Sequence, residues 1–157
     1  MTGRTPAVRG SSEISIMADT LPTYIQLQIV TPEREVAEEE VDEVQIPGKE
    51  GYLGVLPGHA PLLTELQSGT LEYRQNASKH FVAIHWGFAE VLPDRVIVLA
   101  ENAERAEDID IEQAERDRQQ AEEYLKAHSA SDADTGKIRD DLRRAVCRLE
   151  TARQMRS

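Results

Sequence analysis

The pattern of apolar residues changes its period once, near Ala100, and that change limits what the chain can fold into. From Tyr24 onward, Ile25, Leu27 and Ile29 fall on one side and Tyr24, Gln26, Gln28 and Val30 on the other, the period of a strand with one buried face. Short runs of strand character follow at 41–46, 52–56, 70–74, 81–86, 88–92 and 95–99. Pro47-Gly48, Pro57-Gly58, Ser68-Gly69, Gly87 and Pro93-Asp94 separate these runs with turn signals. Many short strands joined by close turns read as a β-sandwich or barrel.

Beyond Ala100 the β-branched and aromatic residues thin out, and Glu, Arg, Gln and Ala dominate residues 112–126, a composition of high helix propensity. Residues 129–136, Ser-Ala-Ser-Asp-Ala-Asp-Thr-Gly, interrupt it with turn and capping types, and a second helical stretch covers 137–155. There Ile138, Leu142, Ala145, Val146, Leu149 and Ala152 recur at three- and four-residue spacing, which places them on one face. The expected fold is an all-β N-terminal sandwich over 21–105 followed by an α-helical antiparallel hairpin over 106–157. Both helices are highly charged and their apolar stripes are narrow, so the hairpin is expected to dock weakly and reversibly.

Residues 1–20 show no sustained periodicity, and Met17 stands just before the patterned region. They are read as an extension outside the fold, with either Met1 or Met17 as the start. Asp plus Glu number 29 against 18 Lys plus Arg, and the net charge of -11 disfavours phosphate-dominated binding to nucleic acid. Protein partners are expected instead. Cys147 is the single cysteine, which excludes an intramolecular disulfide and fits a reducing compartment. No run approaches the roughly 18 apolar residues of a membrane span, so a soluble chain is expected.

Residues 50–64, Glu-Gly-Tyr-Leu-Gly-Val-Leu-Pro-Gly-His-Ala-Pro-Leu-Leu-Thr, spell a strand, a turn and a loop. They contain no Gly-Lys-Ser/Thr element and form no phosphate-binding P-loop. His59, His80 and His85 raise a metal or acid–base role, but they lack ligand spacing and an evident partner, so structural or surface histidines are expected and no metal site. No Gly-x-Ser-x-Gly nucleophile elbow occurs, and no enzyme is expected. Trp86 and Phe88 flank Gly87 in an alternating run; core packing is their default reading, with a subunit contact as the sharper one. The second helix carries Lys137, Arg139, Arg143, Arg144, Arg148, Arg153 and Arg156 against only Asp140, Asp141 and Glu150. Such a helix can pair with its acidic neighbour or seek an acidic surface elsewhere, or it can be merely a solvated face.

Residues 54–64, then Gly69, Trp86-Gly87-Phe88-Ala89-Glu90-Val91 and Val96-Ile97-Val98-Leu99-Ala100, resemble the epsilon subunits of F-type ATP synthases. The likeness runs from about Tyr24 to the C-terminus, in motif order and in the switch from strands to a helical hairpin. The resemblance implies a ten-stranded sandwich that binds the gamma subunit and rests on the c-subunit ring as part of the rotor. It implies a site on the cytoplasmic face of the bacterial plasma (inner) membrane, peripheral and held through partners. The ring-facing turns point to Tyr52 and His59; many members carry an acidic residue where Tyr52 stands. The hairpin of the family extends toward acidic loops of the alpha/beta catalytic head and blocks ATP hydrolysis, a role that falls on Arg139, Arg143, Arg144 and Arg148. Some members bind ATP through Ile/Leu-Asp-x-x-Arg-Ala. The matching residues here are Ile109, Asp110 and Gln113, and loss of the motif arginine at Gln113 predicts weak ATP binding or none. No other cofactor is expected. A free-standing β-sandwich adaptor or ligand-binding module, whose hairpin recruits a partner, is the competing reading.

Overall fold

The computed structural model describes residues 21–157, so the expectations for residues 1–20 lie outside the described residues. Eight strands come first: β1 (Ile25–Val30), β2 (Glu35–Val41), β3 (Glu43–Gly48), β4 (Gly51–Val55), β5 (Leu62–Leu66), β6 (Gly69–Gln75), β7 (Ser78–Leu92) and β8 (Arg95–Arg105). One turn of 3-10 helix at Ala106–Asp108 leads to helices α1 (Ile111–Ala127) and α2 (Thr135–Met155).

The alternation at the start of the chain forms a strand as expected, with Ile25, Leu27 and Ile29 fully buried. β1 lies antiparallel to β2 and parallel to β8. The C-terminal half of β7 pairs with β5 and its N-terminal half with β6, which continues to β3 and β4. The two long strands therefore run through both layers of the sandwich. Each layer contains five strand arms once β7 and β8 are divided between them, which reconciles the expected ten strands with the eight continuous ones.

The crossover between layers is visible in the burial phase. Core positions on β7 are even before the bend, at Val82 and Ile84, and odd after it, at Ala89 and Val91. β8 changes phase at the same level, from Val96, Val98 and Ala100 to Ala103. Trp86 adopts a left-handed φ of 51° at this bend. Gly87 beside it leaves no room for a side chain, since a Cβ would sit 2.1 Å from the Leu99 carbonyl oxygen. The apparent break at Gly87 is thus a corner inside one strand and not a boundary between two.

One apolar cluster fills the sandwich, with Leu66, Leu71, Tyr73, Val82 and Ile84 all at 1 % exposure or less. Each fully buried aliphatic side chain contributes about 1.5–3 kcal/mol of transfer free energy. Arg105 closes the end of β8: it donates to the Tyr73 hydroxyl at 2.8 Å, to the Val36 carbonyl at 3.1 Å and to Glu39 at 3.3 Å. That anchor fixes where the chain leaves the sheet and the helices begin.

Candidate functional site

The hairpin folds back onto the outer face of the layer formed by β6 and the N-terminal half of β7. Its seat is a small cluster of Ala83, Ile109, Cys147 and Ala152, flanked by Ile111. Thr70 on β6 and Thr151 on α2, both buried, join hydroxyls at 2.7 Å. The Cys147 thiol donates to the Gly69 carbonyl at 3.2 Å and faces the Ile84 carbonyl at 3.6 Å. Burial pushes this thiol up to about 11, with the Thr151 hydrogen bond opposing the shift.

This seat differs from the stripe read in the sequence. Ala145 and Ala152 are buried as expected, but Ile138, Leu142, Val146 and Leu149 are only half-buried. Cys147 and Thr151, outside that stripe, occupy the contact instead. Small side chains allow α2 to approach the sheet closely, while the larger residues lie along its flank. The apolar contact is correspondingly thin.

Polar contacts frame it. His85, 6 % exposed, lies with Nε2 3.0 Å from Asp140 Oδ2 on α2 and Nδ1 2.6 Å from Ser68 Oγ. His80 stacks on Tyr73 with ring centroids 4.9 Å apart. Both histidines have structural places, and among the described residues no group of three or more His, Cys, Asp or Glu is placed to hold a metal ion. Arg148 meets Glu104 on β8 at 2.8 and 3.3 Å and Asp117 on α1 at 3.7 Å. Arg139, Arg143 and Arg144 are exposed and form no salt bridge among the described residues. The structure thus separates the four arginines: three face solvent, and Arg148 is occupied within the chain.

Ile109, Asp110 and Gln113 gather at the start of α1. Ile109 is buried in the docking cluster. Asp110 is the helix N-cap and accepts from the Gln113 amide N–H at 3.1 Å. The Gln113 side chain donates to Asp117 and accepts from Arg116, each at 2.8 Å. The segment performs the ordinary work of starting a helix.

Tyr52 and His59 lie beyond opposite ends of the Leu53–Leu56 stretch and share no hydrogen bond. Tyr52 is 53 % exposed, and its hydroxyl accepts from the Thr70 amide at 3.2 Å. His59 sits in the loop after β4, with Nδ1 2.7 Å from the Ala60 oxygen, and the neighbouring Gly58 amide donates to the Pro93 carbonyl at 2.8 Å. Tyr52 therefore stands near the hairpin seat and His59 near the β7–β8 turn.

Trp86 and Phe88 correct the expectation of core packing: they are 44 % and 43 % exposed and meet edge to face with centroids 5.4 Å apart. The left-handed backbone at Trp86 turns the indole outward, where its N–H donates to Glu65 at 3.0 Å. That hydrogen bond, then the one from Lys49, holds the Glu65 carboxyl below its usual range. Phe88 lies opposite Leu99, which is 57 % exposed, so one outer sheet face carries several uncovered apolar side chains.

Residues 24–106 match the family model of the ATP synthase Delta/Epsilon chain, beta-sandwich domain. The chain is 50 % identical over 109 residues to the ATP synthase epsilon chain of Koribacter versatilis, covering 69 % of this chain and 74 % of that one. It is 47 % identical over 134 residues to the ATP synthase epsilon chain of Solibacter usitatus, covering 84 % and 98 %. Among solved structures it resembles a chain in the Euglena gracilis mitochondrial ATP synthase, OSCP/F1/c-ring in rotational state 1, with a TM-score of 0.72, 27 % identity, and coverage of 85 % of this chain and 83 % of that one. These relatives do not favour the free-standing adaptor. With its match across the sandwich and a relative aligned over 84 % of its length, this chain belongs to the ATP synthase epsilon chain family.

Proposed function

We propose that the chain is a non-catalytic central-stalk subunit of a bacterial F-type ATP synthase. Its sandwich binds the gamma subunit and the c-subunit ring, and its hairpin restrains ATP hydrolysis by the alpha/beta head. It belongs on the cytoplasmic face of the inner membrane, held there by its partners; among the described residues no helix is long and apolar enough to cross a membrane.

The observation that carries this reading is the hairpin docked through a thin seat, with Arg139, Arg143 and Arg144 facing solvent. A helix that buries little apolar surface can leave at modest cost, and exposed guanidinium groups suit acidic loops. Arg148 joins them once its internal pairs break. His59 and Tyr52 are assigned to the ring, His59 from a turn and Tyr52 from an exposed strand position. The uncovered face at Trp86, Phe88 and Leu99 offers an apolar surface to a protein neighbour. The replacement of the motif arginine by Gln113, already engaged with Arg116 and Asp117, supports weak or absent ATP binding by the hairpin.

Co-purification tests the assignment. Tagged full-length protein is expected to bring down gamma together with the catalytic head of its own organism. Recovery of neither overturns the rotor reading.

A further inference from the structure

Beside the neutral Thr70–Thr151 and Cys147–Gly69 hydrogen bonds, α2 is fastened to the sandwich by acidic or basic side chains at two points. At the first, Asp140 takes the His85 ring, which is backed by Ser68. At the second, Arg148 is held in a two-pronged pair by Glu104 and flanked by Asp117. The Arg148 side chain is 17 % exposed, whereas Asp140 is 54 % exposed, so Arg148 is the more enclosed of the two helix residues. The seat itself is thin, with only Cys147 and Ala152 of α2 meeting Ala83 and Ile109, so the polar pairs weigh heavily in deciding whether α2 stays down.

Releasing α2 separates Asp140 from His85 and Arg148 from Glu104 together, since both helix residues lie on one rigid element. The docked state therefore hides one arginine of the basic helix, and the released state exposes it beside Arg139, Arg143 and Arg144. Charge-assisted and two-pronged pairs are the stronger class of hydrogen bond, and removing one partner leaves the other enclosed and unpaired.

We propose that Ser68–His85–Asp140 and Glu104–Arg148 form a two-point clasp that sets how often the hairpin leaves the sandwich, with Glu104 withholding Arg148 from an external acidic surface while the clasp is shut. The consequence for hydrolysis rests on the braking role proposed above; the clasp itself does not.

Cys147 supplies the readout, because it is the single thiol and is buried under the docked helix. Its rate of maleimide labelling in the full-length protein reports release of α2. D140A and E104Q alter partly exposed side chains outside the sandwich core, and each is expected to raise the labelling rate about tenfold with little dependence on low urea. H85Q is expected to act in the same direction, and H85Q/D140A to label no faster than the faster single variant. Unchanged rates in both D140A and E104Q overturn the clasp, as does a strong urea dependence, which signals global unfolding. Adding each variant to the cognate gamma–head complex then separates the two ideas. Faster labelling with stronger inhibition of ATP hydrolysis supports both. Faster labelling with unchanged inhibition supports the clasp and overturns the braking role.

Discussion

The hydroxyls of Thr70 and Thr151 meet at 2.7 Å across the buried junction between sheet and hairpin, although the residues are 81 positions apart in the chain. Neither oxygen has water as an easy substitute there; Thr70 relies on Thr151, which also meets the Cys147 thiol. T151V is expected to weaken docking of α2 by about 1–2 kcal/mol through the orphaned Thr70 hydroxyl. T70V/T151V, which removes both polar groups at nearly constant shape, is expected to lose less than the sum of the single changes. Maleimide labelling of Cys147 in the four proteins measures the coupling; simple additivity contradicts it.

Cys147 makes docking sensitive to alkaline pH. Burial raises its thiol from the ordinary 9.0 to about 11. A raised value in the docked state means that the contribution is complete below about pH 9 and is lost as pH climbs toward about 11. The full difference corresponds to roughly 2–3 kcal/mol. Equilibrium unfolding followed by circular dichroism across this range should show a loss that is reduced by that amount in C147A. An identical alkaline loss in the two proteins contradicts the assignment.

At the corner of β7, G87A forces a Cβ to within 2.1 Å of the Leu99 carbonyl oxygen. The clash is with backbone of the paired strand, which cannot move aside as a flexible side chain can. A loss of about 3 kcal/mol in sandwich stability is expected from urea denaturation. A change below 1 kcal/mol shows that the corner yields more easily than its packing implies.

Asp110 caps α1, its exposed side chain accepting from the Gln113 amide. D110A is expected to cost about 1 kcal/mol and to fray the first turn of α1, seen as faster amide exchange there. Calorimetric titration of the unaltered protein with ATP is expected to give no binding at millimolar or tighter affinity, since Gln113 supplies no cationic donor. Tight binding contradicts the reading of that segment as a helix start without a nucleotide site.

The two-part architecture was legible because period-2 and period-3.6 patterns depend on local sequence, and Ile25, Leu27 and Ile29 follow their pattern into the core. The single strand through Gly87 was not legible, since glycine marks a break and a close approach alike. Only the Leu99 backbone opposite decides between them. The strand Leu62–Leu66 was hidden inside a Gly- and Pro-rich string, and its pairing with β7 is long-range. Exposure of Trp86 depends on one left-handed backbone angle. The basic helix was evident as a charge pattern, but the confinement of Arg148 by Glu104 arises from a partner 44 positions away. His85 was recognised as a candidate residue without its partners, Ser68 and Asp140, which the fold brings to it from separate elements.

The most direct measurement is ATP hydrolysis by the cognate gamma–catalytic head complex with full-length protein and with a version ending at Ala106, after confirming that both bind. Inhibition by the full-length protein alone is the predicted result, and it makes the sandwich the anchor and the hairpin the brake. Binding by both with equal hydrolysis contradicts the braking role, and binding by neither contradicts the place in the rotor.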